Sequence, residues 1–592
     1  MSENTEDKKM ITLTIDGESV TVPEGTTIMD AAEELDIHVP RLCYHPDLSL
    51  AGSCRVCIVQ VKGFNFYVAS CSMKAAEGME VQTNSPEIRR ARRDIVELLL
   101  DNHDMDCQTC DRDTNCELQN MAYTLGVRQR LYEGDKKDVE IDDSSESVIR
   151  NPHKCILCGR CVRVCDEVQG VHNLSQQSRG FQTVVGPAHL REMDDSVCIQ
   201  CGQCINVCPT AALLEKSHVR RVWEALGDPD KHVVIQTAPS IRAAIGESFG
   251  LEPGTPSTGK MVTALRRLGF DAVFDTNLGA DLTIMEEAHE FLDRLNGTDG
   301  PLPLLTSCSP GWINFLEKFY PELIPNASSC KSPMSMLSTL TKTYYAEKAA
   351  LKPECIYSVA VMPCVAKKFE AARDEHKMED GTPYTDAVLT TRELAFMIKC
   401  YGVNFVKLPD GEFDAPLGIS TGAADIFGST GGVMEATLRT ASEVVTGRPA
   451  EQVEFETVRA VEGRREVDVT IGDTTLHIGV ANGLENAKAL LDMVVKGEKE
   501  FHVIEVMACP GGCIGGGGQP YPPKGVKVLD KDLLAKRASA LYKIDGSKNL
   551  RLSHRNPAII ELYEDFLGEP NSEKAHKLLH TKYQARQPRG IR

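Results

Sequence analysis

The chain has 592 residues, which is too long for one hydrophobic core, so we expect several domains. Its net charge of −20 argues against a nucleic-acid partner, because phosphate binding favours clustered lysine and arginine, and it indicates a solvated acidic surface. No apolar run approaches the roughly 18 to 20 residues that a membrane-spanning helix needs, and the polar start MSENTEDKKM has no export signal. We therefore expect a cytoplasmic protein with no membrane partner.

The amino-terminal residues 10–86 are predicted to form a small ferredoxin-like module. The segment ITLTIDGESVTV alternates like two strands, TTIMDAAEELD predicts a short helix, and a cysteine-rich loop follows. The 22 cysteines of the chain are bunched at short spacings, which without a secretion signal indicates metal ligands rather than disulfides. Four cysteines of this module have the spacing expected for a two-iron cluster: Cys43, Cys54, Cys57 and Cys71.

Residues 87–134 are predicted to form a second, smaller cluster domain. SPEIRRARRDIVELLLDNH opens with Ser-Pro and repeats apolar residues at helical spacing, so we expect a helix that ends near His103. A histidine at a helix end is more often a cap or a surface residue, but this one precedes three closely spaced cysteines. The predicted ligands of a four-iron cubane are His103, Cys107, Cys110 and Cys116. The acidic stretch from Gly134 to Ser147 is predicted to be a solvated connector.

Residues 148–218 carry two runs of four cysteines, each with intervening segments of two, two and three residues. This spacing is typical of two-cluster ferredoxins, in which the fourth cysteine of each run binds the other cubane. A pair of zinc sites is a weaker interpretation, because zinc ligands usually come as paired Cys-x2-Cys ends. One predicted ligand set is Cys155, Cys158, Cys161 and Cys208, and the other is Cys198, Cys201, Cys204 and Cys165.

Residues 230–530 alternate strand-like apolar runs with helices such as TGKMVTALRRLGF and TRELAFMIKCYG, which indicates α/β architecture. Three of the apolar runs end at a cysteine: LPLLTSC at Cys308, IYSVAVMPC at Cys364 and HVIEVMAC at Cys509. Because the carboxyl ends of strands line the ligand crevice of an α/β sheet, we expect these three cysteines to converge on one site.

Three motifs around these strand ends have unusual compositions: TSCSPGW, MPCVAKKFE and EVMACPGGCIGGGGQP. The glycines of the third motif have no side chain, so their backbone can approach a bulky inorganic group closely. The motifs resemble the three signature motifs of the iron-only (FeFe) hydrogenases, and the preceding cysteine modules resemble that family's accessory domains in the same order. The resemblance extends from about residue 10 to residue 585.

The resemblance implies a multidomain α+β and α/β fold. Its parts would be a β-grasp 2Fe-2S ferredoxin domain, a small His/Cys cluster domain, a two-cluster 4Fe-4S ferredoxin domain, a two-lobed α/β catalytic domain and a helical, small-subunit-like segment at 531–592. From the residues alone, the polar, cysteine-free segment after about Leu533 is interpreted as a structural appendage. Cys355 and Cys400 have no neighbouring ligand and are interpreted as small apolar residues.

The family's catalytic centre, the H-cluster, is a cubane joined through one cysteine sulfur to a two-iron unit with carbon monoxide, cyanide and dithiolate ligands. By the resemblance, Cys364, Cys509 and Cys513 bind the cubane, and Cys513 is the shared bridge. Lys367 resembles a lysine that pairs with a cyanide, where a cation would compensate buried negative charge. The pocket around the two-iron unit is matched by Met362, Met507, Phe427, Pro239 and Ser240. The expected cofactors are one 2Fe-2S cluster, three accessory 4Fe-4S clusters and the H-cluster.

Glu287, Glu290 and Ser328 resemble a proton relay that ends at a cysteine. The alternative is that the two glutamates form the solvated face of a helix. We favour the relay, because turnover at a buried metal requires a path for protons.

The first motif departs from the family pattern, which has two adjacent cysteines, the first relaying protons and the second binding the cubane. Here the pair is Cys308 and Ser309. Either Ser309 binds iron through oxygen, or the loop shifts so that Cys308 binds the cubane and a serine or water relays the proton. Because iron–sulfur clusters favour thiolate, we expect Cys308 to be the ligand. Cys330 is a further candidate.

The predicted activity is the reversible reduction of protons to hydrogen. An electron-transfer subunit of the NADH dehydrogenase type would explain the amino-terminal modules but not the motifs around Cys364 and Cys509. A redox sensor or cluster-assembly protein is the other alternative, but sensor-type relatives tend to lose the relay cysteine or add a sensory domain.

The expected partners follow from what the chain lacks and from the resemblance. No Gly-x-Gly-x-x-Gly follows a strand-like run, so a nicotinamide or flavin would bind another subunit. The chain resembles catalytic subunits of multimeric NAD(P)-linked, sometimes electron-bifurcating, hydrogenases. We expect ferredoxin, flavin- and NAD(P)-binding subunits and maturation proteins as partners, and we favour such a complex over a ferredoxin-linked monomer.

Overall fold

The computed structural model describes residues 9–129, 131–132, 134–447, 454–459, 463–522 and 526–586. The last six residues of the predicted segment 531–592, and a few residues of the predicted domains 87–134 and 230–530, lie outside these ranges. None of the described helices is both long enough and apolar enough to span a membrane.

The amino-terminal module is a mixed sheet with one short helix. The two predicted strands form an antiparallel hairpin, Met10–Ile15 with Glu18–Pro23, and alternate side chains of the first strand face the core. The predicted helix is Ile28–Glu33, which is capped by the hydroxyl of Thr27. Three further strands of two to four residues, too short to show a clear alternation, extend the sheet: Glu80–Gln82, Ile58–Val61 and Val68–Ala69.

The helix predicted to end near His103 is Pro86–Asp101. It begins where the sequence indicates, because the Ser85 hydroxyl accepts a hydrogen bond from the backbone N–H of Ile88 at 3.3 Å. A second helix, Glu117–Leu125, ends at Gly126 in the left-handed conformation. Between the two helices lies the loop that carries the histidine and cysteines of this domain.

The two-cluster region contains two short antiparallel strand pairs. The first pair is Val148–Arg150 with Leu213–Glu215, and the second is Ser175–Gln177 with Val184–Gly186. The α-helices described in this region are Arg160–Arg163 and Gln203–Val207, and the helix Val219–Leu226 follows it.

The connector before this region is solvated in its first part and buried in its last part. The side chains of Asp142, Ser145 and Ser147 are buried, and the Asp142 backbone pairs with Arg150. The prediction of a solvated connector is therefore wrong for this last part, because the side chains of Asp142 and Ser145 accept hydrogen bonds from backbone N–H groups rather than from water.

Two four-stranded sheets form the two lobes of the described catalytic region. The first sheet is parallel, in the order Ala272–Asp275, His232–Thr237, Ile356–Met362 and Ala387–Thr390. In the second sheet the first three strands are parallel and the last is antiparallel, in the order Leu304–Leu305, Val503–Met507, Thr474–Asn482 and Arg464–Ile471. The strands that lead to Cys308 and Cys509 are thus neighbours, and the strand that leads to Cys364 belongs to the other lobe.

Helices pack around both sheets. Thr276–Leu295 is the longest of those described, and most of its side chains are buried, so it forms part of the interior of the domain. The other helices of the catalytic region with at least seven residues are Thr258–Leu268, Pro310–Phe319, Pro333–Leu340, Ala366–Ala372, Thr391–Cys400, Gly432–Thr446 and Leu484–Val495.

The carboxy-terminal segment is integrated into the catalytic domain. Its helices are Lys531–Ser547, Pro557–Leu562 and Glu573–Leu579, and the last two pack in an apolar cluster with the helix Thr276–Leu295. Buried ion pairs add to this contact, including Arg439 with Asp545 at 2.9 Å. The interpretation of this segment as an appendage is therefore wrong.

Replacing Arg439 by Met is expected to destabilise the catalytic domain by about 3 kcal/mol, because it removes the buried cation that Asp545 and Glu435 share. Each carboxylate would be left with one partly exposed arginine, Arg551 or Arg459. Urea denaturation followed by tryptophan fluorescence would measure this loss. The matched control is Arg220→Met, which removes an exposed pair with Glu224 and should change the free energy of unfolding by about 0.5 kcal/mol or less. Equal losses in the two variants would contradict the prediction.

Candidate active site and cluster-binding cavities

The four cysteines of the amino-terminal module form two close pairs. The backbone N–H of Cys43 lies 3.4 Å from the sulfur of Cys54, the reverse contact has the same length, and the sulfurs of Cys57 and Cys71 are 3.4 Å apart. All four side chains are buried. Cys43, Cys54 and Cys57 lie on the loop predicted to hold a two-iron cluster, and Cys71 is the later cysteine that follows the strand Val68–Ala69.

A cavity is lined by His103, Cys107, Cys110 and Cys116. Burial lowers the pKa of His103 to about 4, so its imidazole is neutral and can act as a ligand. The buried Nδ1 atom of His103 has no hydrogen-bond partner in the described part of the chain. These observations fit a histidine that binds metal.

Two further cavities are lined by the eight cysteines of the two-cluster region. One is lined by Cys155, Cys158, Cys161 and Cys208. The other is lined by Cys165, Cys198, Cys201 and Cys204. The fourth cysteine of each run thus lines the cavity of the other run, as the spacing predicts.

Sites for a single metal ion are a separate matter from cluster cavities. Among the described residues, no group of three or more His, Cys, Asp or Glu side chains is arranged to hold one metal ion.

Both amino-terminal modules meet the cavity that contains Cys158. Cys43, Cys116 and Cys158 lie in one apolar cluster. The Arg163 guanidinium donates to the carbonyl of Cys43 at 2.6 Å and to that of Cys158 at 3.5 Å. From the second module, the Cys116 thiol contacts the carbonyl of Pro209, the residue after Cys208, at 3.6 Å. The two modules therefore converge on one cysteine set.

The second cysteine set of the two-cluster region lies against the catalytic domain. Cys161, Cys204 and Cys208 share an apolar cluster, which joins the two cavities of the region. The Gln203 amide donates to the carbonyl of Gly515 at 3.0 Å, inside the third motif. The cysteine sets therefore follow one another from the amino-terminal modules to the catalytic motifs.

The glycines of the third motif pack against protein backbone. A Cβ atom on Gly516 would lie 2.3 Å from the carbonyl oxygen of Pro363, and one on Gly517 would lie 2.5 Å from that of Cys201. We predicted that these glycines approach an inorganic group. At these two positions, their lack of a side chain instead lets the third motif contact the second motif and the two-cluster region.

Cys364, Cys509 and Cys513 come together although their strands belong to two sheets. Burial, followed by the proximity of Cys364, raises the pKa of Cys513 to about 12, and the same two causes raise the pKa of Cys509. Metal binding at this site would have to release these thiol protons. The convergence was predicted for Cys308, Cys364 and Cys509. Cys364 and Cys509 come together as predicted, and Cys308 is close enough to Cys513 for the Cys513 thiolate to raise its pKa.

The side chains predicted to surround the two-iron unit are all buried. Phe427 and Met507 share an apolar cluster that Cys308 borders, while Met362 lies in the core of the other lobe. Pro239 and Ser240 follow the strand His232–Thr237, and the buried Ser240 hydroxyl has no hydrogen-bond partner in the described ranges. An unpaired hydroxyl in this position fits a polar ligand such as cyanide.

The Lys367 ammonium points toward the first motif. It donates to the carbonyl of Cys308 at 3.2 Å and pairs with Glu370 at 2.7 Å. Its charge opposes the rise in pKa of Cys308, Cys364 and Cys513, so it lies beside all three cysteines. A fixed cation in this place can compensate negative charge on a bound cluster.

Glu287, Ser328 and Glu290 form a buried chain of polar groups. The Ser328 hydroxyl donates to Glu290 at 2.8 Å and lies near Glu287, whose pKa it lowers. Burial, followed by the nearby Glu290 carboxylate, raises the pKa of Glu287 to about 8. Oε1 of Glu287 is buried and has no partner among the described residues. The alternative of a solvated helix face is wrong for both glutamates.

The side chains of the adjacent residues Cys308 and Ser309 have different surroundings. Cys308 lies near Glu287 and Phe427, and burial, followed by the Glu287 carboxylate, raises its pKa well above the usual range. The Ser309 hydroxyl accepts a hydrogen bond from the backbone N–H of Ala508 at 3.3 Å, next to Cys509. Cys330 lies 3.7 Å from Glu290 instead. This arrangement favours Ser309 as the residue on the cubane side.

Sequence reasoning missed three residues at or near the polar chain. Ser329 contacts Glu290 of the chain and also His580, whereas Tyr563 and His580 hydrogen bond to the neighbouring Glu286. In the segment AHKLLHTKY, the spacing of His576 and His580 places them on one face of a helix. No acidic residue within this segment indicates what these histidines contact. Cys355 and Cys400 are partly exposed and exposed, respectively.

Family models match nearly the whole chain. Iron only hydrogenase large subunit, C-terminal domain, matches 231–517, and iron hydrogenase small subunit matches 531–586. A 2Fe-2S iron-sulfur cluster binding domain matches 8–86, an NADH-ubiquinone oxidoreductase-G iron-sulfur binding region matches 92–130, and a 4Fe-4S dicluster domain matches 154–212. The order of these matches confirms the predicted fold class.

Curated proteins and solved structures give the same result. The chain is 52% identical to NADP-reducing hydrogenase subunit HndD of Solidesulfovibrio fructosivorans over 98% of this chain and 99% of that protein. It is 42% identical to iron hydrogenase 1 of Clostridium pasteurianum over 97% and 100% of the two chains. The apo [FeFe]-hydrogenase HydA1 of Chlamydomonas reinhardtii superposes with a TM-score of 0.56 and 45% identity over 62% of this chain and 99% of that chain. The chain therefore belongs to the iron-only (FeFe) hydrogenase family.

Proposed function

We propose that this hydrogenase acts at an H-cluster bound by Cys364, Cys509 and Cys513, within a multisubunit, NADP-linked complex. The observation that carries the proposal is the position of these three cysteines, which lie between the last cysteine set of the electron-transfer chain and a buried polar chain that includes Glu287. Electrons and protons would thus reach the H-cluster site by separate routes.

The bound H-cluster supplies the reversible reduction of protons to hydrogen at its two-iron unit. The chain supplies the surroundings of this unit. Lys367 compensates its negative charge, the Ser240 hydroxyl donates a hydrogen bond to a polar ligand, and Met362, Met507 and Phe427 exclude water.

Protons reach the site from Glu290 through Ser328 and Glu287 to Cys308. A carboxyl with a pKa near 8 can hold and release a proton near neutral pH, as Glu287 must in both directions of the reaction. Cys308 is the inner end of this path because its thiol lies beside Glu287, whereas Ser309 takes the position of the fourth cubane ligand. This assignment reverses our expectation that Cys308 binds the cubane.

Four accessory clusters conduct electrons: a 2Fe-2S cluster at Cys43, Cys54, Cys57 and Cys71, and three 4Fe-4S clusters in the cavities described above. The fit is supported by the lining of those cavities and by the unpaired Nδ1 of His103. The second cubane, at Cys165, Cys198, Cys201 and Cys204, delivers electrons to the H-cluster because it lies against the third motif.

Partner subunits bind the nicotinamide and flavin. This is supported by the relative named as an NADP-reducing hydrogenase subunit and by the lack of a Gly-x-Gly-x-x-Gly motif after a strand-like run in this chain. Ferredoxin is a further proposed electron partner, maturation proteins insert the two-iron unit, and the cytoplasm is the proposed location. Purification from the native host tests the complex, because a chain that elutes alone with full activity would count against partner subunits.

Infrared spectroscopy of the anaerobically matured chain tests the active centre. We expect bands from carbon monoxide and cyanide ligands together with hydrogen evolution from a reduced dye. A protein that holds its accessory clusters but has neither the bands nor the activity would be an electron-transfer subunit, and the proposal would be wrong.

A further inference from the structure

The proposed proton path ends at Glu290, which is itself buried, so protons need a further route to solvent. The nearest cation, Arg294, is an unsuitable carrier. Its guanidinium donates to the carbonyls of Pro301, Asn326 and Ala327 and pairs with Glu290 at 2.7 Å. Arginine does not lose its proton in proteins, so Arg294 holds Glu290 in place but cannot pass a proton to it.

The carboxy-terminal segment places a histidine pair on the other side of Glu290. Nδ1 of His580 lies 2.8 Å from the Ser329 hydroxyl, and the Ser329 backbone N–H donates to Glu290 at 3.3 Å. The His580 side chain is 5% exposed, while His576, on the preceding turn, is exposed, and the two ring centroids are 4.1 Å apart. Ser329 is therefore the residue that touches both His580 and Glu290.

A second carboxylate holds His580 in this position. Glu286 is fully buried and accepts from Tyr563, from the Asn571 backbone at 2.9 Å and from Nε2 of His580 at 3.0 Å. The remaining charged groups near the pair are Glu290, Arg294 and Asp299. This buried hydrogen-bond network lies between solvent and the proposed proton path. It can therefore serve proton transfer as well as hold the carboxy-terminal segment in place.

We propose that His580, with His576 at the surface, is the outer end of the proton path to Glu290. A buffer acid protonates His576, and the proton passes to His580 through one water or a ring rotation. To take the proton, the His580 ring turns about its Cβ–Cγ bond, which breaks its hydrogen bonds to Ser329 and Glu286, and it turns back with Nδ1 protonated. Nδ1 then gives this proton to the Ser329 hydroxyl oxygen, while the hydroxyl, turned about its Cα–Cβ bond, passes its own proton to Glu290. Each transfer breaks one bond to hydrogen and forms another, and the direction reverses when hydrogen is oxidised.

This inference rests on the proposed role of Glu290, and the experiment separates the two. Hydrogen evolution from a reduced dye is measured for His580→Gln, His576→Ala, Ser329→Ala and Glu290→Gln, all with intact infrared bands. The expected losses are about 10²-fold for His580→Gln and Ser329→Ala and smaller for His576→Ala. The control is His554→Gln, which removes another histidine of the same segment, bound to Thr440 and Glu443, and should keep the rate of the unchanged protein.

Chemical rescue distinguishes proton transfer from a structural role. Added imidazoles should restore much of the rate of His576→Ala and His580→Gln, to a degree that follows the pKa of the imidazole, and a merely structural role would not produce that dependence. If Glu290→Gln is inactive while the His580 and Ser329 variants keep full rates, the entrance lies elsewhere. If Glu290→Gln is also fully active, the proposed relay itself is wrong. Should His580→Gln fail to fold, Ser329→Ala and His576→Ala still decide the matter.

Discussion

Replacing Cys308 by Ala is expected to lower hydrogen evolution by about 10²- to 10⁴-fold, because it removes the proposed last proton carrier before the two-iron unit. The thiol lies beside Glu287 and at the edge of the pocket that contains Phe427 and Met507, so it has no substitute nearby. The infrared bands and the iron content of the protein should remain unchanged. Anaerobic assays with a reduced dye, together with infrared spectra of the same samples, would measure both properties.

Ser309→Ala provides the complementary variant. If Ser309 is a cubane ligand, its loss should disturb the electron paramagnetic resonance spectrum of that cubane, whereas Cys308→Ala should leave the spectrum intact. The reverse pattern, with iron lost from Cys308→Ala and retained in Ser309→Ala, would restore our original expectation that Cys308 binds the cubane. A Ser309→Cys variant should keep the cubane in either case, because thiolate is the preferred ligand.

Local spacing in the sequence predicted which cysteines line the same cavity. Cysteines within one run, such as Cys155 to Cys165, are close because the chain between them is short. The crossing of Cys165 and Cys208 between cavities also follows from a known spacing. The ends of the strands that lead to Cys364 and Cys509 were predictable because apolar runs are visible without knowledge of the partner strands.

Contacts between distant parts of the chain could not be predicted in this way. The carboxy-terminal segment looks polar and self-contained, yet His580 and Tyr563 hydrogen bond to Glu286, almost 300 residues earlier. The third motif gave a similar error, because Gly516 contacts the backbone of the second motif and Gly517 contacts the backbone of the two-cluster region. Sequence patterns report which residues are apolar, small or charged, but the partner of a buried polar group is set by tertiary packing.

Replacing Cys161 by Ala is expected to abolish hydrogen evolution driven by reduced ferredoxin. Cys161 lines the cavity on which both amino-terminal modules converge, so its cluster would be common to every route from those modules to the active centre. Exchange between hydrogen and deuterium needs the active centre but no net electron supply, so it should persist in this variant. The two assays together would separate a broken electron route from a damaged active centre.

Two further variants test the convergence itself. Cys71→Ala should damage the two-iron module, and Cys116→Ala should damage the module with His103, while each leaves the other route open. Because Arg163 and Pro209 connect the two modules to the same cysteine set, each change should remove part of the ferredoxin-linked rate, and the double variant should match Cys161→Ala. The contrary result would be that Cys71→Ala alone stops all ferredoxin-linked activity while the second module keeps its cluster. Electrons would then pass through the two modules in series, and the proposal of two converging electron routes would be wrong.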